Sequence, residues 1–236
     1  GYSIDWEDEY ATIDDKSRRI AQRSFLDLHK KGHVYQLEAP TMWDVDFQTA
    51  VAQAEVEDRE KGGAYHDIEF GVFEEDAPAN TFVISTTRPE LLAACVGITA
   101  HPDDVRFKGL FGKHAITPGF FAKVPIFPST EADPEKGTGI LMVCTFGDQE
   151  DIIKWRTHQL DTVMIINNLG RMVTPDLPTL DGKRVHVLAK GSRYPEARLA
   201  AKELLEEHGY LLGMEDNVSR ASISDRSGTP VEIQVV

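Results

Sequence analysis

Two short stretches hold the residues best suited to chemistry. The first is Gly137-Thr138-Gly139 followed by Ile140 to Cys144, Thr145, Phe146, Gly147, Asp148 and Asp151. The apolar run Ile140 to Cys144 reads as a buried strand, Gly147 breaks it, and Asp148 opens a polar-to-apolar pattern that reads as a helix. Asp148 is then the N-cap. Asp151 follows three residues later, close to the positive end of the helix dipole. Both carboxylates are expected to be ionised at neutral pH, and such a pair can hold an ammonium or a donor-rich polar group. Capping alone also accounts for an Asp at this position, and the corner taken by itself favours that structural role. The second stretch is Phe82-Val83-Ile84-Ser85-Thr86-Thr87-Arg88-Pro89-Glu90. It is a strand that runs into two hydroxyls and an Arg before Pro89 ends the pairing.

These residues need a scaffold, and the sequence outlines one. Short strands are predicted at 81–87, 95–100, 113–117, 122–127 and 139–145, with further strands at Val163 to Ile166 and Arg184 to Leu188. Many short strands with few helices point to an α+β chain whose β-barrel-like core carries flanking helices. A capping box from Thr12 to Asp15 opens a helix whose Ile20, Ala21, Phe25 and Leu28 form a stripe to bury, with Gly32 as its stop. A second helix starts at Pro195 and aligns Ala197, Ala200, Ala201, Leu204, Leu205 and His208 before Gly209. Glu57 to Gly63 reads as a solvated turn, and Ser222 to Val236 as a returning hairpin. The expected organisation is a connecting segment with a helix at 1–60, a core at 61–215 and returning strands at 216–236. Extended segments at both ends suit insertion into a larger fold.

Composition narrows the function classes. The 236 residues are 41% hydrophobic, enough for a sizeable core, and carry a formal charge of -14. That balance argues against strong autonomous nucleic-acid binding, which depends on Lys and Arg. The sequence has no apolar run of about 18 residues and no signal-peptide pattern, so no membrane span is expected and a cytoplasmic location is the default. Cys95 and Cys144 are too few for a disulfide framework or a Cys-rich zinc site and read as buried free thiols. Histidines at 66, 101, 114, 158 and 186 show no metal-ligand spacing. A thiol nucleophile at Cys144 ranks low, because no third partner has a recognisable spacing.

Taken together, Thr86-Thr87-Arg88-Pro89-Glu90, His101-Pro102-Asp103-Asp104, and Gly137-Thr138-Gly139 with its downstream aspartates resemble the editing domain inserted in class I aminoacyl-tRNA synthetases of the valine, isoleucine and leucine group. Gln48 to Glu57 and Cys144-Thr145-Phe146-Gly147-Asp148 are most similar to the valyl type. The resemblance covers roughly residues 35 to 233. His29-Lys30-Lys31-Gly32-His33 is one residue too long for the His-x-Gly-His signature of synthetase activation sites, and no Lys-Met-Ser-Lys-Ser signature is present. Trp43-Asp44-Val45 and Ser227 stand where some relatives carry metal-binding cysteines.

The resemblance implies hydrolysis of mischarged threonyl-tRNA(Val), with no cofactor and no metal. Activation by valyl enzymes separates threonine from valine by only about 100-fold, so a second, hydrolytic site is used. Asp151 would hold the α-ammonium, Asp148 would take the side-chain hydroxyl or orient water, and Thr86 and Thr87 would contact the ester or terminal ribose. Arg88 would meet phosphate or a neighbouring acid. With Glu90, Leu91, Met142, Cys144, Thr145 and Phe146 it completes the expected substrate contacts. Relatives carry Thr at the position of Leu91, and Lys and Thr at those of Met142 and Cys144. Thr145 or Cys144 is the expected substitute for those groups, and retention of both aspartates and the double threonine indicates a variant subgroup. The expected partners are the 3′ end of a tRNA and the rest of a parent synthetase, with the domain monomeric. Isoleucyl-type cleavage of Val-tRNA and an inactive tRNA-docking module are the alternatives.

Overall fold

The computed structural model describes residues 3–36, 39–74, 80–145, 147–173 and 194–235. It divides into two compact units, Gly1–Ala39 and Pro40–Val236. The first contains helix α1, Asp15–Lys30. Its cap is Asp14, whose carboxylate accepts the Ser17 N–H at 2.6 Å, two residues beyond the expected Thr12. A carboxylate caps at least as well as a hydroxyl and adds charge at the dipole's positive end. At the other end Gly32 takes φ +75°, while the N–H groups of Gly32 and His33 return to His29 and Leu28. This crossing pair of bonds is the Schellman stop that needs a residue tolerant of positive φ. The stripe is not buried: Ile20 and Phe25 are each 56% exposed, and no residue of α1 is buried. Among its described residues this unit has no second helix or strand to cover it.

The second unit is mixed α+β and mostly sheet. In chain order it contains β1 (Pro40–Asp44), β2 (Thr49–Ala50), β3 (Val56–Phe73), β4 (Thr81–Thr86), β5 (Cys95–Ala100), β6 (His114–Ile116), β7 (Lys123–Pro128) and β8 (Ile140–Cys144). Helices α2 (Gln149–His158) and α3 (Tyr194–Glu207) follow, then β9 (Leu211–Ser224) and β10 (Glu232–Val235). The larger sheet has the order β4-β3-β6-β7-β5-β8, with β9 on β3, and the smaller has the order β10-β1-β2. Strand β5 pairs parallel with β7 and is buried along its whole length, as expected of a strand covered on both faces.

The barrel-like expectation is corrected by this topology: the sheets are open. Among the described residues no ladder joins edge strand β4 to edge strand β8. Pro89 ends the extended chain after β4, and the two edges line a cavity. Glu57 to Gly63 is also not a turn. It is the first half of β3, paired residue for residue with Asn217 to Ile223 of β9 in a solvated ribbon. Its charges face water, but its backbone groups are satisfied by the partner strand. Val163 to Ile166 forms no strand. Its buried Val163, Ile165 and Ile166 join the core, and one bridge, Ile166 to Met172, closes the turn after it. The expected strand at Arg184 to Leu188 lies outside the described residues. The returning hairpin is present, with Ser224 N–H bonded to Thr229 O and Val231 N–H to Ser222 O. No helix of the described residues is long and apolar enough to cross a membrane.

Alternation builds the core. Ile68, Phe70 and Val72 of β3 point inward with Ile84, Ile98, Ile126 and Ile140, and α3 lays Ala197, Ala201 and Leu205 against them. Within this packing sits one charged network. Glu90 is 0% exposed and accepts from Arg198 Nε at 2.9 Å and Nη2 at 2.8 Å, and from Arg88 Nε at 3.2 Å. Arg88 Nη2 reaches on to both carboxylate oxygens of Glu232 in β10, at 3.2 and 3.1 Å. Burial works to raise the Glu90 pKa, but the Arg198 hydrogen bonds and the charges of both arginines outweigh it and hold the carboxyl below its ordinary range.

Because the Glu90 pKa is lowered on folding, its contribution to stability is complete above the unfolded carboxylate range and is lost as pH falls through the folded value. Glu90→Ala should cost about 3–5 kcal/mol at neutral pH, since it leaves two guanidiniums without their shared partner. Urea unfolding measures it, and a loss near zero would show that the network does not hold these elements together.

Candidate functional site

A cavity of about 1080 Å³ opens between the edge strands. Strand β4 contributes Ile84, Ser85 and Thr86, followed by Thr87 and Arg88; strand β8 contributes Leu141, Met142 and Cys144; and the start of α2 contributes Asp148, Glu150, Asp151 and Lys154. The β3–β9 ribbon closes one side, with Tyr65 and residues 217–222 on the wall. The spacing of the local turns explains this convergence. Thr86 Oγ1 accepts the Arg88 N–H at 3.1 Å, folding the chain where Pro89 prevents further pairing. Gly147 then carries the chain from β8 into α2. A Cβ added there would lie 2.6 Å from Asp151 Oδ2, so a side chain at this position would displace the carboxylate.

The two aspartates behave differently. Asp148 is exposed and caps α2, accepting the Asp151 N–H at 2.8 Å. Asp151 Oδ2 accepts the Cys144 N–H at 3.3 Å. Burial, with the charges of Asp148 and Glu150, raises the Asp151 pKa to about 8, against the opposing effects of Lys154 and the Cys144 N–H. The expectation that both acids are ionised at neutral pH therefore fails for Asp151. The Cys144 thiol faces Cys95 across the β5–β8 ladder, and that neighbour together with burial pushes its pKa well above the ordinary value. Such a thiol is a poor nucleophile. Among the described residues no three His, Cys, Asp or Glu side chains converge to hold a metal ion.

Residues 1–209 match the family of class I tRNA synthetases for isoleucine, leucine, methionine and valine. The chain belongs to that family. It is 46% identical to the valine-tRNA ligase of Thermobifida fusca over 237 residues, 99% of this chain and 26% of that protein. The valine-tRNA ligases of Salinispora arenicola and Rickettsia prowazekii are each 42% identical over 99% of the chain and 27% of their own length. The chain thus spans about a quarter of the length of these curated relatives. The crystal structure of a ternary complex of Agrobacterium radiobacter K84 agnB2 LeuRS with tRNA and LeuAMS aligns with 89% of this chain and 33% of its own, at 18% identity and a TM-score of 0.46.

In this synthetase chain most of the sequence-predicted site residues line the same cavity: Asp148, Asp151, Thr86, Thr87, Arg88, Leu91, Met142 and Cys144. Two do not. Glu90 lies beneath the wall, held by Arg88 and Arg198. Thr145 accepts the Val163 N–H at 2.9 Å, so its hydroxyl ties the next segment down rather than facing the cavity. Phe146 lies outside the described residues. Arg88 is turned to neighbouring acids and also donates to Gly147 O at 3.3 Å. Burial lowers its pKa, and Glu232 and Glu90 more than compensate, holding it above the ordinary value. Sequence reasoning missed Lys154, Arg198 and the ribbon. Lys154 was within reach of it, because i+3 spacing puts it on the Asp151 face of α2. Arg198 had no local signal.

Asp148→Asn keeps a competent cap but removes a charge beside Asp151. The Asp151 carboxyl should therefore titrate below about 8 in this variant, followed by carbon NMR of the side chain. Asp151 has a folded pKa above its unfolded one, so the stability it leaves intact below the unfolded value is lost as pH rises toward about 8. Asp151→Asn should accordingly match the parent's stability in acid and exceed it above that pH.

Proposed function

We propose that this chain hydrolyses the ester of threonyl-tRNA(Val), acting as the editing domain of a valine-tRNA ligase, with the tRNA 3′ end and the rest of the synthetase as its partners. The observation that supports this most is the single cavity that Asp148 and Asp151 share with Thr86 and Thr87. An aminoacyl ester is already activated, so a positioned water and a donor for the developing oxyanion suffice without a protein nucleophile. Asp151 takes the α-ammonium. Its pKa of about 8 lies in the range of an α-amino group, so carboxyl and amine compete closely for one proton, and binding the cation draws Asp151 into its charged form.

Threonine is recognised by its hydroxyl. Asp148, exposed at the cavity, accepts that hydroxyl or orients the attacking water, and the Thr86 and Thr87 hydroxyls meet the ester or the terminal ribose. The cavity positions Leu91, Met142 and Cys144 are apolar, and this favours one second reading, cleavage of Val-tRNA by an isoleucyl-type site. The near-complete alignment with valine-tRNA ligases supports threonine.

The test is deacylation of Thr-tRNA and Val-tRNA by the 236-residue chain. Thr-tRNA should be hydrolysed and Val-tRNA spared, while the reverse order would replace the first reading with the second. Asp151→Ala should slow Thr-tRNA hydrolysis by about 100-fold or more, the size of losing one preorganised electrostatic contact. Equal rates in parent and variant would remove Asp151 from the reaction.

A further inference from the structure

Lys154 is a buried cation at the cavity whose acidic neighbours are Glu150 and Asp151. Its side chain is 4% exposed and lines the cavity wall. Its hydrogen bond to Glu150 Oε2 is long, at 3.5 Å, and Glu150 is itself 63% exposed. A buried ammonium needs close acceptors for its three donors, and a distant, solvated carboxylate is poor compensation. The half-buried cations on this wall are differently placed: Arg88 and Arg198 direct their guanidiniums to Glu90 and Glu232.

The Lys154 ammonium lies 3.5 Å from Glu150 Oε2, one turn back along α2, and its charge acts on Asp151. Side chains on an α-helix lean toward its N-terminus, so the Lys154 stem runs back over the turn that carries Asp151, three residues earlier on the same face. In an amino-acid ester the ammonium nitrogen and the carbonyl oxygen are separated only by Cα and the carbonyl carbon. A ligand that puts its ammonium on Asp151 therefore brings its carbonyl to the neighbouring side-chain position.

Building on the deacylase reading, we propose that Lys154 is a further catalytic residue, whose ammonium donates to the carbonyl oxygen of the bound aminoacyl ester. As water adds to the carbonyl carbon, the π pair moves onto that oxygen and Lys154 holds the resulting oxyanion. Collapse restores the carbonyl and expels the ribose oxygen. The proton lost by the water ends on that ribose oxygen, giving the free amino acid and an uncharged tRNA end. The donor is carried on the second turn of α2 and stands at the cavity wall before reaction, and a donor placed in advance is what makes such stabilisation effective.

The experiment uses the 236-residue chain with Lys154→Met and Lys154→Arg, and two non-hydrolysable ligands: 3′-threonylamino-adenosine and its analogue with CH₂ in place of the carbonyl. Lys154→Met should lower kcat for Thr-tRNA by about 100-fold with little change in KM, and Lys154→Arg should recover part of it. The melting temperature of Lys154→Met should not fall, because an apolar isostere removes a desolvated charge. The parent should bind the carbonyl ligand at least about tenfold more tightly than the CH₂ analogue, and Lys154→Met should lose that preference. Unchanged kcat in Lys154→Met, a melting temperature that falls with activity, or a carbonyl preference that survives the substitution would each overturn the assignment. A parent that hydrolyses neither tRNA ester yet shows the Lys154-dependent preference removes the deacylase reading and keeps Lys154 as a carbonyl-binding residue. Failure to bind either ligand overturns both.

Discussion

The cavity depends on one buried carboxylate. Glu90 has no access to water, and an uncompensated charge there could not be tolerated. Its compensation comes from Arg88 at the end of β4 and Arg198 on α3, residues far apart in sequence. Arg88 then extends to Glu232 in the smaller sheet and to Gly147 O at the entrance to α2. One guanidinium thereby fixes the Thr86-Thr87 turn relative to the Asp148-Asp151 turn. The two halves of the proposed site are registered by an ion network lying behind the wall.

This arrangement explains the open sheet. A ladder from β4 to β8 would close the core and fill the place where substrate is proposed to bind. The chain departs from a strand after Thr86 because Pro89 forbids pairing, and after Cys144 because Gly147 and the Asp148 cap start a helix. The chain just before β8 passes close to β4: a Cβ added at Gly137 would lie 3.1 Å from Ser85 Cβ. Among the described residues no ladder joins these edges, and their flanks become cavity wall.

Much of this was legible from sequence because it is local. Alternation located β4, β5, β7 and β8 to within a residue or two, and the Asp148 cap followed from a strand, a glycine and an acid in order. What was missed depends on distant partners. Glu57 to Gly63 has no apolar alternation, and only its pairing with β9 makes it a strand. Glu90, expected at the substrate, is claimed by an arginine 108 positions away. The charge state of Asp151 is set by tertiary burial, which capping logic cannot supply. The α1 stripe shows the converse, since periodicity establishes that a face is apolar without establishing what covers it.

Specificity is the remaining step. The wall at Leu91, Met142 and Cys144 carries no hydroxyl or charge, and the hydroxyl of Thr145 is committed to Val163. In the proposed deacylase, discrimination would rest on the cost of leaving Asp148 or a wall hydroxyl desolvated when valine replaces threonine. Such an unpaired group costs about 1–3 kcal/mol, a factor of roughly 5 to 150 in rate. Multiplied by an activation step that separates the two amino acids by about 100-fold, this would reach a total of roughly 10³ to 10⁴. A hydrolytic site of this kind therefore does not need several hydroxyl-reading contacts. It needs one acceptor that solvent cannot replace once substrate is bound, and in the proposed deacylase Asp148, exposed at the cavity wall, would be that acceptor.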